Sequence, residues 1–202
     1  MKSKMLQTKR VFGVSKLTAE GGGPTGCGVV YEMGANDQFT VLYNFMGLAD
    51  GGDPKAGVLH DSAGNLYGTT YFGGVGDGEE GVGVVYKVSA PGQETVLYAF
   101  TGHSDGGNPY GGVISDSDGN LYGTTYDGGD GIAQELDGGG VVFKLNASGE
   151  ETVLYTFDSV DGGSRPYTGM IRDTVGNLYG TTSSGGAANQ GAVFELPGAA
   201  AP

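Results

Sequence analysis

The chain has 202 residues, of which 23 are acidic and 10 are basic, so its formal net charge at pH 7 is −13. This charge argues against nucleic acid and anionic membrane surfaces as partners, because both are bound through clustered basic side chains. The single cysteine excludes an internal disulfide, and no apolar run reaches the ~18 residues of a membrane-spanning helix.

Short apolar segments follow one another along the chain, and their content of Val, Leu, Tyr and Thr indicates β-strands. The 43 glycines disfavour helices and suit tight turns. In the first unit we predict strands at 11–14, 28–33 and 40–45. The second unit has them at 57–61, 65–70, 83–88 and 95–100. The third has them at 112–116, 120–125, 140–145 and 152–157, and the fourth at 169–173, 177–182 and 191–196.

The hexapeptide Asn-Leu-Tyr-Gly-Thr-Thr marks the second strand of three units, at 65–70, 120–125 and 177–182. Four strands in each unit of about fifty residues are typical of a β-propeller blade. The sequence therefore predicts an all-β propeller of about four blades, each a four-stranded antiparallel sheet, in a single repeat array. The predicted blades are 1–45, which is degenerate, 46–100, 101–157 and 158–202.

The fourth unit lacks a recognisable outer strand, and three arrangements remain open. Residues 5–8 could form a degraded first strand of blade 1. Residues 1–10 could instead supply the missing outer strand of the last blade and close the ring. Alternatively, another copy could complete a larger ring, because open blade faces and unpaired strand edges favour association.

The connections between strands fall into two classes, which are expected on opposite faces of the propeller. Short turns with glycine at 62–64, 117–119 and 174–176 predict tight hairpins. Long loops rich in Gly and Asp follow each hexapeptide and also precede each first strand. Binding residues tend to lie on long loops of a rigid scaffold, so we expect the functional face to carry these loops.

Lys55, Tyr110 and Tyr167 occupy one position in three successive units, directly after a proline. They enter the first strand from the long-loop face, so in a closed ring they would surround the central opening. The tyrosines are therefore candidates for stacking on a sugar or a peptide, and packing between blades is the alternative.

The repeated acidic residues have two interpretations. Asp61, Asp116 and Asp173 begin the short turns, where a carboxylate accepts backbone hydrogen bonds and stabilises the turn. Acids of the long loops that follow the hexapeptides are better candidates for calcium, which takes six to eight oxygen ligands. These candidates are Asp77, Glu79, Glu80, Asp127, Asp130, Glu135 and Asp137. No other cofactor is expected.

The sequence contains no recognisable catalytic motif. The two histidines, His60 and His103, do not recur in register, and no metal-binding, nucleophile-elbow or phosphate-loop pattern is present. We therefore predict no catalytic residues.

The string Asp-Gly-Gly-x-Pro-Tyr-x-Gly-x-Ile-x-Asp-x-x-Gly-Asn-Leu-Tyr-Gly-Thr-Thr, with Gly-Val-Val-Phe-Lys-Leu and Glu-Thr-Val-Leu-Tyr-x-Phe after it, resembles the GloVer tandem repeat of bacterial surface proteins. Residues 46–196 match closely and 11–45 more loosely. The first hairpin of the unit is also similar to that of NHL-type propeller repeats. The resemblance implies a secreted or cell-surface location and supplies no activity, although we see no signal peptide or anchor in the sequence.

Three functional hypotheses follow. The first is a non-enzymatic propeller module that binds a glycan or a protein at the cell exterior. The second is a structural subunit that self-associates into a larger ring or filament. The third is a propeller enzyme of the lyase, lactonase or glycosidase type, which would need acids or histidines that converge near the axis.

Overall fold

The computed structural model describes residues 14–15, 23–33, 39–74, 81–129, 138–157 and 163–198. Within these ranges the structure is all-β, with fifteen strands in four antiparallel sheets. None of the described segments forms a helix of the length and hydropathy needed to cross a bilayer.

The sheets follow one another along the chain. Sheet 1 contains β1 (Val14–Ser15), β2 (Val29–Met33) and β3 (Phe39–Asn44). Sheet 2 contains β4 (Leu59–His60), β5 (Leu66–Thr70), β6 (Val84–Ser89) and β7 (Gln93–Ala99). Sheet 3 contains β8 (Ile114–Ser115), β9 (Leu121–Thr124), β10 (Val141–Leu145) and β11 (Glu151–Thr156). Sheet 4 contains β12 (Ser164–Pro166), β13 (Ile171–Arg172), β14 (Leu178–Ser184) and β15 (Val193–Leu196).

Strands that are consecutive in the chain are neighbours in sheets 1, 2 and 3, so each of these sheets is an antiparallel meander. In sheet 4, β12 and β13 both pair with one side of β14, and β15 pairs with the other. Successive connections of a meander lie at opposite ends of its strands. The short turns therefore share one end of every sheet and the long loops share the other, as the sequence predicts.

The strand register confirms how the degenerate first unit aligns with the others. Val14 pairs with Val30 in sheet 1, just as Thr69 pairs with Val85 in sheet 2. Val14 therefore holds the place of the first threonine of the repeated hexapeptide. The predictions for residues 5–8 and 1–10 concern residues outside the described ranges.

The innermost strands are much shorter than the five residues predicted from the sequence. Each has only two paired residues beside the turn, at Leu59–His60, Ile114–Ser115 and Ile171–Arg172. Residues 57–58, 112–113 and 169–170, which the prediction included, are described but unpaired, and the backbones of neighbouring sheets converge there. Sequence patterning overestimated these strands since apolar alternation does not report the path of the backbone.

An aspartate at the start of each short turn fixes the inner hairpin. In sheet 3, Asp116 accepts hydrogen bonds from the backbone of Asp118 (2.9 Å) and Asn120 (2.9 Å), and from the side chains of Asn120 (2.8 Å) and Tyr122 (3.0 Å). Burial acts to raise the pKa of Asp116, but these hydrogen bonds outweigh it and the pKa is lowered. Asp61 and Asp173 have equivalent partners. The turn interpretation of these aspartates is confirmed.

The hydrophobic core lies between successive sheets. A phenylalanine at the end of one outer strand packs edge-on against an aromatic ring in the next sheet, with ring centroids 5.0 to 5.1 Å apart. These pairs are Phe45 with Tyr86, Phe100 with Phe143, and Phe157 with Phe194. The sheets are therefore stacked face to face through one interface that occurs three times.

Two glutamates are half-buried in these interfaces. Glu94 lies beside Asp50, and Glu151 lies beside Asp105 in the next interface. Tyr43 donates a hydrogen bond to Asp50 at 2.9 Å, whereas Oε1 of each glutamate has no partner within the described ranges. Burial first, and then the charge of the neighbouring aspartate, raises the pKa of each glutamate to about 7.

We expect the free energy of unfolding to fall as pH rises from about 4.5 to about 7, because the folded state holds these protons more tightly than the unfolded chain. The full shift corresponds to about 3 kcal/mol per glutamate, and with solvent screening we expect about 1 kcal/mol each. Below about pH 4 stability should fall again, since Asp61, Asp116 and Asp173 have lowered pKa values and lose their hydrogen bonds on protonation.

Urea unfolding at a series of pH values measures this profile. The double variant Glu94→Gln and Glu151→Gln is the control, because it keeps most of the acidic charge but cannot lose these two protons. Its free energy of unfolding should show little decline between about pH 5 and about pH 8, a range that includes the raised pKa values. If the free energy of unfolding declines equally in wild type and variant, the effect comes from general charge repulsion and not from these two glutamates.

Candidate functional site

The segments that lead into the innermost strands of sheets 2, 3 and 4 approach one another closely at glycine residues. A Cβ atom on Gly112 would lie 3.0 Å from the carbonyl oxygen of Gly57, and one on Gly111 would lie 2.7 Å from that of Thr168. Backbone this close leaves no space for side chains at these positions. The sheets therefore converge at this edge, and residues that enter the innermost strands are brought together there.

A non-glycine residue with positive φ precedes the proline at each of these junctions. The φ angles are 54° at Asp53, 54° at Asn108 and 57° at Arg165. The N–H of Asp53 donates to the carbonyl of Cys27 at 2.7 Å, and that of Arg165 donates to Gly139 at the same distance. A left-handed conformation of this kind costs about 1–3 kcal/mol and persists where surrounding contacts enforce it. Here the bonds join each sheet to the previous one.

Four tyrosines meet at the convergent edge, and we call Tyr71, Tyr110, Tyr126 and Tyr167 the tyrosine cluster. Tyr110 is at its centre, with ring centroids 4.9 Å from Tyr71, 5.0 Å from Tyr126 and 4.2 Å from Tyr167. Tyr110 and Tyr167 are stacked with an interplanar angle of 23°. The cluster lies at the long-loop end, because Tyr71 and Tyr126 directly follow the repeated hexapeptides.

Two cations adjoin the tyrosine cluster, and each has an acidic neighbour. Nζ of Lys55 lies 5.2 Å from the ring centroid of Tyr71 and 2.5 Å from Oδ2 of Asp53. The guanidinium of Arg165 lies 5.5 Å from the ring of Tyr126, with Nε 4.0 Å from Oδ1 of Asp127. The cluster therefore carries both cation–π contacts and balanced charge.

The rings differ in their access to solvent. Tyr167 is 51% exposed although one face is stacked on Tyr110, so much of its remaining ring surface is open. Tyr71, Tyr110 and Tyr126 are half-buried. Burial, followed by the neighbouring tyrosines, raises the pKa of Tyr110 above its usual value, so its hydroxyl remains a hydrogen-bond donor.

A comparison with known protein families identifies the family of this chain. The sequence profile described as the Gloeobacter/Verrucomicrobia repeat matches residues 3–201. The chain belongs to the Gloeobacter/Verrucomicrobia repeat family. The repeat-family resemblance inferred from the hexapeptide and its flanking strands is thus confirmed. No curated protein matches the chain at a significant level.

Solved structures similar to this family member include two proteins named as enzymes. One, assigned as a gluconolactonase, aligns with 83% of this chain at 14% identity and a TM-score of 0.50. A luciferin-regenerating enzyme aligns with 90% of it at 16% identity and a TM-score of 0.54. The chain spans only 56% of each of these proteins. At this identity the likeness shows a propeller-type fold and nothing about activity.

The structure brings together the three residues that the sequence singles out in this repeat-family chain. Lys55 Nζ lies 5.8 Å from the ring centroid of Tyr110, which in turn stacks on Tyr167. Sequence reasoning missed Tyr71, Tyr126 and Arg165. A signal for the first two was present, because a tyrosine follows the hexapeptide in two of the three units. The place of Arg165 depends on its left-handed backbone, which the sequence does not reveal.

Most of the acids predicted to bind calcium lie outside the described ranges. They are Asp77, Glu79, Glu80, Asp130, Glu135 and Asp137. Asp127 is described, and it lies beside Arg165. Among the described residues, no group of three His, Cys, Asp or Glu side chains could hold a metal ion. Calcium binding by this repeat-family member stays a prediction.

A concavity lies at the short-turn end, between sheets 1 and 2. It has a volume of about 330 Å³ and is lined by His60, Leu66, Val88 and Pro91, with Glu32 from β2. Its lining is mainly apolar, and it is separated from the tyrosine cluster by the length of the strands. His60 therefore does not join the tyrosine cluster.

Proposed function

We propose that this chain is a non-enzymatic propeller module that binds a neutral sugar on the tyrosine cluster at the cell exterior. The observation that carries the proposal is the stacked pair of Tyr110 and Tyr167, of which Tyr167 is 51% exposed at the long-loop end. Aromatic rings with a free face and a polar edge suit the apolar face and the hydroxyls of a sugar ring.

The charges near the tyrosine cluster favour a neutral ligand. Lys55 and Arg165 each lie beside an aspartate, so neither offers a positive charge without a negative one near it. The protein as a whole is strongly acidic, which disfavours an anionic ligand at long range. The tyrosine hydroxyls and the carboxylates of Asp53 and Asp127 can exchange hydrogen bonds with sugar hydroxyls.

The enzyme hypothesis draws its support from the names of the two structural neighbours, a gluconolactonase and a luciferin-regenerating enzyme. We favour binding without catalysis for a specific reason. The carboxyls with a pKa raised to about 7, Glu94 and Glu151, are on outer strands far from the tyrosine cluster. Turnover of a lactone or aryl glycoside that is lost in Asp53→Asn would contradict the non-enzymatic proposal.

Replacing Tyr167 by alanine should weaken sugar binding at least tenfold, about 1.4 kcal/mol, because it removes the exposed stacking face. The measurement is titration calorimetry with soluble cello-, xylo-, malto- and chito-oligosaccharides. Tyr155→Ala is the matched control, since Tyr155 is 38% exposed on an outer strand.

The binding proposal fails if none of these oligosaccharides binds the wild-type protein. It fails equally if Tyr167→Ala and Tyr155→Ala bind as wild type does. Thermal unfolding of both variants verifies that any loss reflects the site. The proposed surface location rests on the resemblance to bacterial surface repeats, and protease treatment of intact cells tests it, because an internal protein would be protected.

A further inference from the structure

Three valines at one position of the repeat have a similar local sequence but different surroundings. Val85 in β6 and Val142 in β10 are both 0% exposed, because the following sheet covers them. Val193 in β15 is 81% exposed. Gly83, Gly140 and Gly191 place the three strands in the same register, so two differences remain. Among the described residues no sheet follows sheet 4, and β15 is an edge strand whereas β6 and β10 each have an outer neighbour.

The other residues of this face show the same difference. Leu59 and Ile114, in the innermost strands of sheets 2 and 3, are half-buried, whereas the equivalent Ile171 of sheet 4 is 70% exposed. We call the surface around Ile171, Thr181 and Val193 the trailing face of sheet 4. It corresponds to the inner part of the surface that sheets 2 and 3 each use to bind the next sheet. Their outer strands, which lead to Phe100 and Phe157, have no counterpart in the described part of sheet 4.

A polar contact of the interface is also left without its inter-sheet partner on the trailing face. Thr69 donates from Oγ1 to the carbonyl of Gly111 in the next sheet at 2.9 Å, and Thr124 approaches that of Thr168 at 3.4 Å. The equivalent Thr181 is exposed, and the hydrogen bond it makes among the described residues is within its own sheet, with Oγ1 of Thr168 at 3.1 Å.

The opposite end of the array exposes the complementary surface. On sheets 2 and 3 the side that receives the preceding sheet includes Val96 and Val153, which are half-buried. In sheet 1 the equivalent Val41 is 39% exposed, and Phe39 beside it is 47% exposed. We call this the leading face of sheet 1. The described structure therefore presents the leading half of its repeated interface on sheet 1 and the inner part of the trailing half on sheet 4.

We propose that a second copy of this chain covers the trailing face of sheet 4 with the leading face of its sheet 1. The contact would continue the inner part of an interface that the structure already contains three times, in which the occupant is the leading face of another sheet. A head-to-tail contact closes into a ring when the rotation per unit allows it. Two arcs of four sheets would together give about eight blades, within the range that propellers use.

One charged position distinguishes the trailing face from the equivalent faces of sheets 2 and 3. Where inner sheets carry Lys87 and Lys144 over a tyrosine ring, sheet 4 has Glu195, which accepts a hydrogen bond from Tyr179 at 3.0 Å. The trailing face of sheet 4 therefore carries a negative charge where the equivalent faces of sheets 2 and 3 carry a positive one.

Sedimentation equilibrium from micromolar to hundreds of micromolar protein tests the proposal. We expect wild type to reach twice its 20.4 kDa mass and Val193→Asp to remain a monomer. Val41→Asp should also be monomeric, because it removes the other half of the contact. An equimolar mixture of the two variants should associate again, since each retains one intact face.

Val175→Asp is the matched control for Val193→Asp. Val175 is 77% exposed and lies in the short turn between β13 and β14, outside the trailing face. This variant should therefore associate like wild type. All three positions are exposed, and circular dichroism should show folded protein. A wild-type monomer at every concentration overturns the proposal. A Val41→Asp dimer also overturns it, because it would mean that two trailing faces bind each other.

Discussion

The variant Phe100→Ala is expected to lose about 4 kcal/mol of unfolding free energy, because it leaves a cavity in the interface between sheets 2 and 3. Phe100 is 2% exposed and packs edge-on against Phe143 at 5.1 Å and against Tyr98 at 5.2 Å. Neither neighbour can fill the space, since Phe143 is itself fully buried and Tyr98 bonds to Asp105 at 3.0 Å.

Urea unfolding followed by circular dichroism measures this loss. Because each sheet contacts only its neighbours, weakening one interface should also reduce the cooperativity of the transition, as in repeat proteins. Phe100→Leu is the control, since it keeps much of the apolar volume and should lose about 1.5 kcal/mol. A loss in Phe100→Ala within about 0.5 kcal/mol of an exposed substitution would show that this ring does not hold the sheets together.

The variant Gly123→Ala is expected to lose about 3 kcal/mol of unfolding free energy. The ring of Phe143 in the neighbouring strand occupies the space that a methyl group would need. A Cβ atom would lie 2.7 Å from Cε1 of Phe143 and closer still to Cζ. Gly123 does not have positive φ, so the whole effect is steric. This glycine is the fourth residue of the repeated hexapeptide, and its absence of a side chain lets the aromatic ring lie flat on the strand.

Two other glycines separate the steric effect from backbone strain. Gly119 has a φ of 82° and open space around it, so Gly119→Ala should lose about 1–2 kcal/mol through conformation alone. Gly180 meets Phe194 as Gly123 meets Phe143, but Phe194 is only half-buried and can move. Gly180→Ala should therefore lose about 1 kcal/mol.

A double variant completes the measurement of the steric effect. In the background of Phe143→Leu, which removes the ring edge, Gly123→Ala should lose much less than it does alone. If the two losses simply add, the contact between Gly123 and the ring is not the cause, and another role for the glycine must be sought.

The strands and hairpins follow from local chemistry, and the sequence therefore predicts them well. Alternating apolar residues, a glycine for the turn and an aspartate that accepts backbone hydrogen bonds are all within one hairpin. Strand β5 at Leu66–Thr70 and strand β10 at Val141–Leu145 lie within a residue of their predictions. The innermost strands are shorter than predicted because their first residues lie where neighbouring sheets converge, at Gly57 and Gly112, and do not pair within the sheet.

The candidate site could be predicted only in part. Equal position in three units identifies Lys55, Tyr110 and Tyr167 as a set, since equivalent residues must be near one another where sheets converge. A usable signal for Tyr71 was the tyrosine that follows two of the hexapeptides, whereas Arg165 joins the set through a positive φ that no local pattern encodes. The burial of Glu94 likewise depends on the neighbouring sheet.

The sequence by itself determined the repeat, its strands and turns, and its family, because these depend on residues close together in the chain. Only the tertiary structure decided which copy of a repeated residue is buried. Val142 and Val193 follow the same local pattern, yet one is fully covered and the other is 81% exposed. The physical reason is that burial is a contact between units, and identical units differ only in whether another one lies beside them.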